Sequence, residues 1–340
     1  ATIYPSNASN KRISWESNNI TVATIDHNGV VKVGLPGKAT ITATCGEMSA
    51  SCEITAIEGT GPKDAVKVGD YYYILNKTNK TAMVTWNNKG QQTGYNYQSL
   101  SDINIPSKIT YSNVSYSVTS IDDYAFTDCP ATTLVLPSSV TKLGNRSFEG
   151  AKVKSVDLSS VTEYDDAVFG DCPNLVSVTG MSKVKVIKAC MFAGCVMLET
   201  VGELTDVEKI ENGAFYHCDK LSSLKFGNKL KEIETDALWF TLSLESIVFP
   251  ASLVDAGKVD EMSENTVIYC NALTPPEAYA SRKLTGRILY VPESAVSKYK
   301  AKAPWNEYTI NPVAITSMEF SSDTETIEVG ASIPQLPVVS

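Results

Sequence analysis

Eight cysteines and two histidines hold most of the nucleophilic and soft metal-ligating capacity of this 340-residue chain. Cys129, Cys172, Cys195 and Cys218 are separated by 43, 23 and 23 residues. Zinc and redox sites draw their sulfurs from closely spaced pairs, so these intervals match no such motif. The four read instead as small buried hydrophobes. Cys190 shares a segment with Cys195, but one short interval is not a site. Cys45 and Cys52 flank Gly46 to Ser51 at the ends of a hairpin-like segment, where a cross-strand disulfide would form if the geometry allowed it. His27 lies in a turn and His217 beside Cys218, without the convergent acids or nucleophile that a triad or metal site needs. Asp122-Asp123 and Asp165-Asp166 could offer oxygens to Ca2+, yet acids ahead of a helical turn also favour its N-terminus. No catalytic, cofactor or metal residue is assigned, and an enzyme is not expected.

The four cysteines belong to a longer pattern that fixes where they sit. Phe126, Phe148, Phe169, Phe192, Phe215 and Leu238 recur at intervals of 22, 21, 23, 23 and 23 residues. Five residues before each stands Ile121, Leu143, Tyr164, Ile187, Ile210 or Ile233. Three residues after each stands Cys129, Ala151, Cys172, Cys195, Cys218 or Thr241, and a short strand-like run follows. One such unit cannot bury its own apolar face, whereas stacked copies make a continuous core. The period is that of a leucine-rich repeat. It predicts a mostly β solenoid of about six rungs, with a parallel sheet on one face and short helical turns at the A-F-x-x-C segments. The phenylalanines, Leu238 and the four cysteines are its expected core.

One position of the strand runs is hydroxylic in every unit: Thr133, Ser155, Ser177, Thr200, Ser223 and Ser246. Alternation turns it away from the core. The row is a candidate ligand-facing ladder for glycan or peptide; equally, it is a solubilising row on an exposed sheet.

The phrases VTSIDDYAFTDCP, VEKIENGAFYHCDKL and LKEIETDAL resemble the BspA-like leucine-rich repeats of Bacteroides and Treponema surface proteins. The resemblance spans roughly 66–312. Ala151, Thr241 and Leu238 depart from it by conservative core swaps. Tyr71 to Leu75, Ala82 to Trp86 and Tyr111 to Val118 predict a β-hairpin cap, and 266–312 a closing cap with a short helix from Ala295 to Lys302. Residues 1–58 resemble a bacterial Ig-like domain of group 2 lacking its first strand, a β-sandwich with Trp15 in its core. Residues 59–66 read as a linker and 67–312 as the capped repeat domain. Residues 313–340 read as the start of a second, incomplete Ig-like module. The chain opens at Ala1 without Met or leader and is expected to be a piece of something longer.

The net charge of −9 argues against nucleic acid and anionic lipid as partners. No apolar run reaches the ~20 residues of a membrane helix. The resemblance implies a cell-surface (outer-membrane) or secreted adhesin that binds host matrix protein, glycan or another cell. The alternative is a noncatalytic component of a surface polysaccharide-binding system. The unfinished sandwich suggests strand-mediated self-association, with Ile315 to Leu336 disordered or paired to a neighbouring chain.

Overall fold

The structure, a computed structural model, describes residues 13–25, 29–33, 37–45, 48–56, 64–86, 97–313, 315–321 and 324–329. The chain divides into two compact units, 1–63 with 87–93 and 64–86 with 94–340.

In the first unit, Ser14–Ser17, Gly37–Cys45 and Met48–Ala56 form an antiparallel sheet in that order, and Ala23–Ile25 pairs with Val31–Val33. Val22, Ala23, Ala39 and Ile41 are its buried centre, with Trp15 packed against them. Trp15 lies over Gly29, where a Cβ would come within 2.6 Å of the indole. The long hairpin corrects the expected disulfide. Its register sets Cys45 opposite Met48 and Cys52 opposite Ile41, four positions further along, and no disulfide joins them. About 13 Å of strand separates the two places, well beyond the span of a disulfide.

The second unit opens as a meander of Val66–Val68, Tyr71–Asn76 and Thr81–Thr85. Thr81–Thr85 then pairs in parallel with Val114–Ile121, whose first half also pairs with the antiparallel strand Lys108–Tyr111. Lys142-Leu143 and Glu163-Tyr164 extend the same sheet in parallel. The cap thus hands its hydrogen bonds directly to the anchor residues of the repeat. Further along, Val186-Ile187, Lys209-Ile210, Glu232-Ile233, Asp255–Lys258 and Glu277–Tyr279 continue the anchor ladder in parallel.

The strand runs form a second parallel series. Thr133–Val135 pairs with Asp102–Asn104, Ser155–Asp157 with Ser177–Thr179, and Glu203-Leu204 with Lys225-Phe226. The series ends in a four-stranded sheet of Ser246–Phe249, Val267–Cys270, Ile288–Pro292 and Thr309–Val313. At Gly202, which has φ +67°, the chain takes one extra residue, so Glu203 rather than Gly202 faces Lys225. The closing helix is Val296–Ala301, inside the expected span.

The A-F-x-x-C segments are not helices, contrary to expectation. In each, alternate N–H groups bond three residues back, as Ala125 N to Asp122 O and Thr127 N to Tyr124 O. The intervening N–H groups reach the next rung, as Tyr124 N to Asn145 O, Phe126 N to Ser147 O and Asp128 N to Glu149 O. The same three cross-rung bonds recur from Arg146, Phe148 and Gly150, and again from Ala167, Phe169 and Asp171. This alternation requires left-handed backbone two residues before and two residues after each column residue. Those places are Tyr124 and Asp128, Arg146 and Gly150, Ala167 and Asp171, Cys190 and Gly194, Gly213 and His217, and Asp236 and Phe240. A regular helix would spend every N–H within its own segment and leave neighbouring turns unconnected.

The column is formed as expected. Phe126, Phe148, Phe169, Phe192 and Phe215 are fully buried and stack with centroid separations of 5.2, 5.3, 6.1 and 5.6 Å. Tyr97 of the cap heads the column, 4.7 Å from Phe126, a member the spacing of the repeat does not announce. Leu238 closes it, also buried. Beside the rings the cysteines form a second line. The thiols of Cys172, Cys195 and Cys218 donate to the carbonyls of Phe148, Phe169 and Phe192, one rung back, at 3.0–3.1 Å. Cys129 does the same to Tyr97 at 3.5 Å. Burial raises the pKa of Cys129, Cys172 and Cys218, as expected of inert core thiols.

Residues 315–340 depart from expectation over their first half. Ile315–Ser321 and Thr324–Val329 pair with each other as an antiparallel hairpin within the chain, rather than being disordered. The remainder, to Leu336 and beyond, lies outside the described residues, as does the YPSNASN segment.

Candidate functional site

The strand series presents two rows of side chains outward. The first is the hydroxyl ladder. Ser155, Ser177 and Thr200 stand in register on successive rungs, and Thr133, Ser155 and Thr200 are exposed while Ser177, Ser223 and Ser246 are half-buried. Thr133 bonds Asp102, and its hydrogen bond, with one from Ser101, holds the Asp102 carboxyl below its usual range. The other five hydroxyls have no protein partner among the described residues, so the row faces solvent and adds little to the fold.

The second row lies two residues further along each strand: Asn104, Val135, Asp157, Thr179, Glu203, Lys225, Val248, Tyr269, Tyr290 and Asn311. Its early rungs are mostly polar. Its late rungs are not: Tyr269 and Tyr290 stack face to face at 4.8 Å and 10°, with Val248 in register before them. Both rings are half-buried, and burial followed by the Tyr290 neighbour raises the pKa of Tyr269. The sequence pattern missed this pair because it lies beyond the sixth unit, where the closing strands keep the register of the repeat but lose its motif.

The turn side carries its own rows at the left-handed positions. Two residues after the column residue come Asp128, Gly150, Asp171, Gly194, His217 and Phe240. In the first four the occupant alternates acid and glycine, and for a steric reason. A Cβ at Gly150 would collide with the Asp128 carboxylate, and one at Gly194 with that of Asp171. Asp and Gly also tolerate left-handed backbone, which costs an ordinary side chain about 1–2 kcal/mol. The last two rungs abandon this economy. His217 and Phe240 stack at 4.2 Å, Trp239 stacks on Phe240 at 5.2 Å, and Tyr216 meets all three edge-on.

On the second and third rungs the turn side is charged and buried. Arg146 forms an ion pair with Glu149, and both, with Asp166, are nearly sealed from solvent. Burial pushes the Glu149 carboxyl up to about 7 against the pull of Arg146, helped by Asp171 and Asp128. Burial likewise pushes the Cys190 thiol up to about 12, away from reactivity. Among the described residues no group of three or more His, Cys, Asp or Glu side chains could hold a metal ion. His217 meets Asp219 at 3.3 Å, and Asp122 and Asp123 serve the first turn, Asp122 accepting from Asp123 N at 3.0 Å and Asp123 from Asn145 N at 2.8 Å. Burial raises the pKa of Asp122 and Asp123.

The family model of the BspA type leucine rich repeat region matches in six copies over residues 95–206 and 199–260. Residues 95–260 are thus similar to BspA-type leucine-rich repeats. Residues 1–56 match the bacterial Ig-like domain of group 2. Solved structures similar to this repeat protein include a leucine-rich cell-surface protein of Faecalibacterium prausnitzii, 21% identical, covering 69% of this chain and 86% of that one with a TM-score of 0.36. A leucine-rich-repeat protein of Eubacterium ventriosum is 25% identical, covering 56% and 47%, with a TM-score of 0.44. The leucine-rich-repeat protein of T. pallidum is 17% identical, covering 72% and 96%, with a TM-score of 0.38. None of the curated proteins compared matches the chain. BspA-type repeats and group 2 Ig-like domains are typical of bacterial surface or secreted proteins. No helix among the described residues is long and apolar enough to cross a membrane.

Proposed function

We propose that this chain is a noncatalytic adhesin segment that holds a protein ligand along the outward face of its strand series. The observation that carries the reading is the stacked pair Tyr269–Tyr290, set toward the end of a mostly polar, in-register face. Interfaces are anchored by a few large amphipathic rings ringed by polar groups, and a repeat face suits an extended macromolecular partner. The unpartnered hydroxyls of Ser155, Ser177 and Thr200 supply the polar rim in this reading. Host matrix proteins are the ligand class that the family resemblance adds.

The test is a solid-phase array of host matrix proteins probed with the full chain and with Tyr269→Ser/Tyr290→Ser. Capture of at least one protein, weakened about tenfold or more by the double substitution, is expected. Capture that the substitution leaves unchanged would remove the sheet face from consideration, and no capture at all would remove the class of ligand.

A further inference from the structure

The aromatic cluster on the turns of the last two rungs is not explained by the fold. Every rung has the same backbone there, so the other rungs serve as its controls. Rungs one to four place Asp or Gly, and rung five His217, where rung six places Phe240 at φ +60°. A bulky ring in left-handed backbone is strained, and such strain collects at functional sites. Full burial, which could offset it, is absent: Tyr216, His217, Trp239 and Phe240 are all only half-buried, and Leu242 beside them is 57% exposed.

The polar ends of these rings point the same way. The structural Trp305 gives its indole N–H to Pro276 O, and Tyr299 and Tyr308 give their hydroxyls to Ala272 O and Val259 O. The Trp239 indole N–H and the Tyr216 hydroxyl have no partner among the described residues. Around the rings stand both an acceptor and a cation. Asp219 lies 3.3 Å from His217, and the Lys258 ammonium lies 5.0 Å over the Trp239 ring.

We propose that this cluster is a saccharide site, separate from the sheet face, that seats a neutral pyranose. A sugar ring offers an apolar C–H face to pack on aromatic rings and hydroxyls to meet a polar rim. Trp and Tyr, apolar in body with one polar handle, match that duality. An apolar peptide fits worse, because it would cover the indole N–H and the phenol without pairing them, whereas Asp219 is already met by His217 and Lys258 by Glu261. The proposal goes beyond the sheet-face reading and does not depend on it.

The experiment is calorimetric titration of the full chain with maltohexaose, cellohexaose, xylohexaose and mannohexaose, repeated on Trp239→Ala, Phe240→Gly and Tyr269→Ser/Tyr290→Ser. At least one sugar binds, and Trp239→Ala and Phe240→Gly each weaken it about tenfold or more. Phe240→Gly returns the left-handed position to the residue found at Gly150 and Gly194, so its melting temperature stays level or rises. The sheet-face double substitution leaves sugar binding intact. Binding of none of the four sugars overturns the proposal. So does binding that survives Phe240→Gly, or that is lost only in the tyrosine double substitution. A lowered melting temperature in Phe240→Gly overturns it as well, since the ring would then be a structural plug.

Discussion

The interior column and the outer left-handed row run through the same six rungs, yet only the first is uniform. Inside, five phenylalanines repeat with centroid separations of 5.2–6.1 Å, each ring fixed by the rungs above and below. Outside, the row changes from Asp and Gly to His217 and Phe240 along one unchanged backbone. Close packing tolerates little change of volume, so the inner position records a constraint. The outer position needs only to fit φ > 0 and to avoid its neighbour. What it holds beyond that is open to function.

That contrast breaks first, and by the largest amount, at Phe192. It is fully buried between Phe169 and Phe215, so Phe192→Ala removes two stacking partners and leaves a cavity. A loss of about 3–5 kcal/mol is expected in urea denaturation. A loss under about 1 kcal/mol would mean that the column is no more constrained than the outer row.

A smaller effect sharpens the boundary between the two, at the buried acid of the turn side. Glu149 titrates near 7 in the folded chain against an ordinary 4.5. Between those values the folded chain holds a proton that the unfolded chain has released. Stability is therefore fully present below about pH 4.5 and falls as pH rises to about 7, by at most about 3 kcal/mol from this group. Asp171, Asp122 and Asp123 shift in the same direction, each chiefly by burial. Glu149→Gln keeps the shape beside Arg146 and removes the titration. Melting temperatures measured from pH 4.5 to 8 should slope less in the variant. An identical slope would place the proton uptake elsewhere.

How much of this was legible in the sequence follows the same division. Core positions announce themselves by period, because packing imposes one residue class at one interval; hence Phe126 to Phe215 and the cysteines could be placed by counting. The non-helical turns could not be read so directly, since A-F-x-x-C is as compatible with one helical turn as with alternating left-handed residues. Gly150, Gly194 and the paired Asp128 and Asp171 were the available signal, small or acidic residues at a fixed offset from the ring. Tyr97 and the pair Tyr269–Tyr290 escaped because the caps keep the hydrogen-bond register of the repeat without its spelling. Cys45 and Cys52 misled for a related reason: symmetry about a presumed turn does not set strand register, which puts Met48 opposite Cys45 and Ile41 opposite Cys52.

The smallest expected effect concerns the hydroxyl ladder, where the strand series should behave like the outer row and not like the column. Ser177 stands in register between Ser155 and Thr200, is half-buried, and its hydroxyl bonds to nothing in the protein among the described residues. Removing an unpaired hydroxyl orphans no partner, so the usual penalty for breaking a buried hydrogen bond does not arise. The backbone of Ser177 keeps its place in the ladder whatever the side chain. Ser177→Ala should therefore change unfolding free energy by no more than about 0.5 kcal/mol, while Ser155→Ala/Ser177→Ala should equal the sum of its parts. A cost above about 1 kcal/mol, or strong coupling between the two sites, would mean that the hydroxyls bond one another along the rungs. The row would then be part of what holds the solenoid together, and its uniformity would have the same origin as that of the phenylalanines.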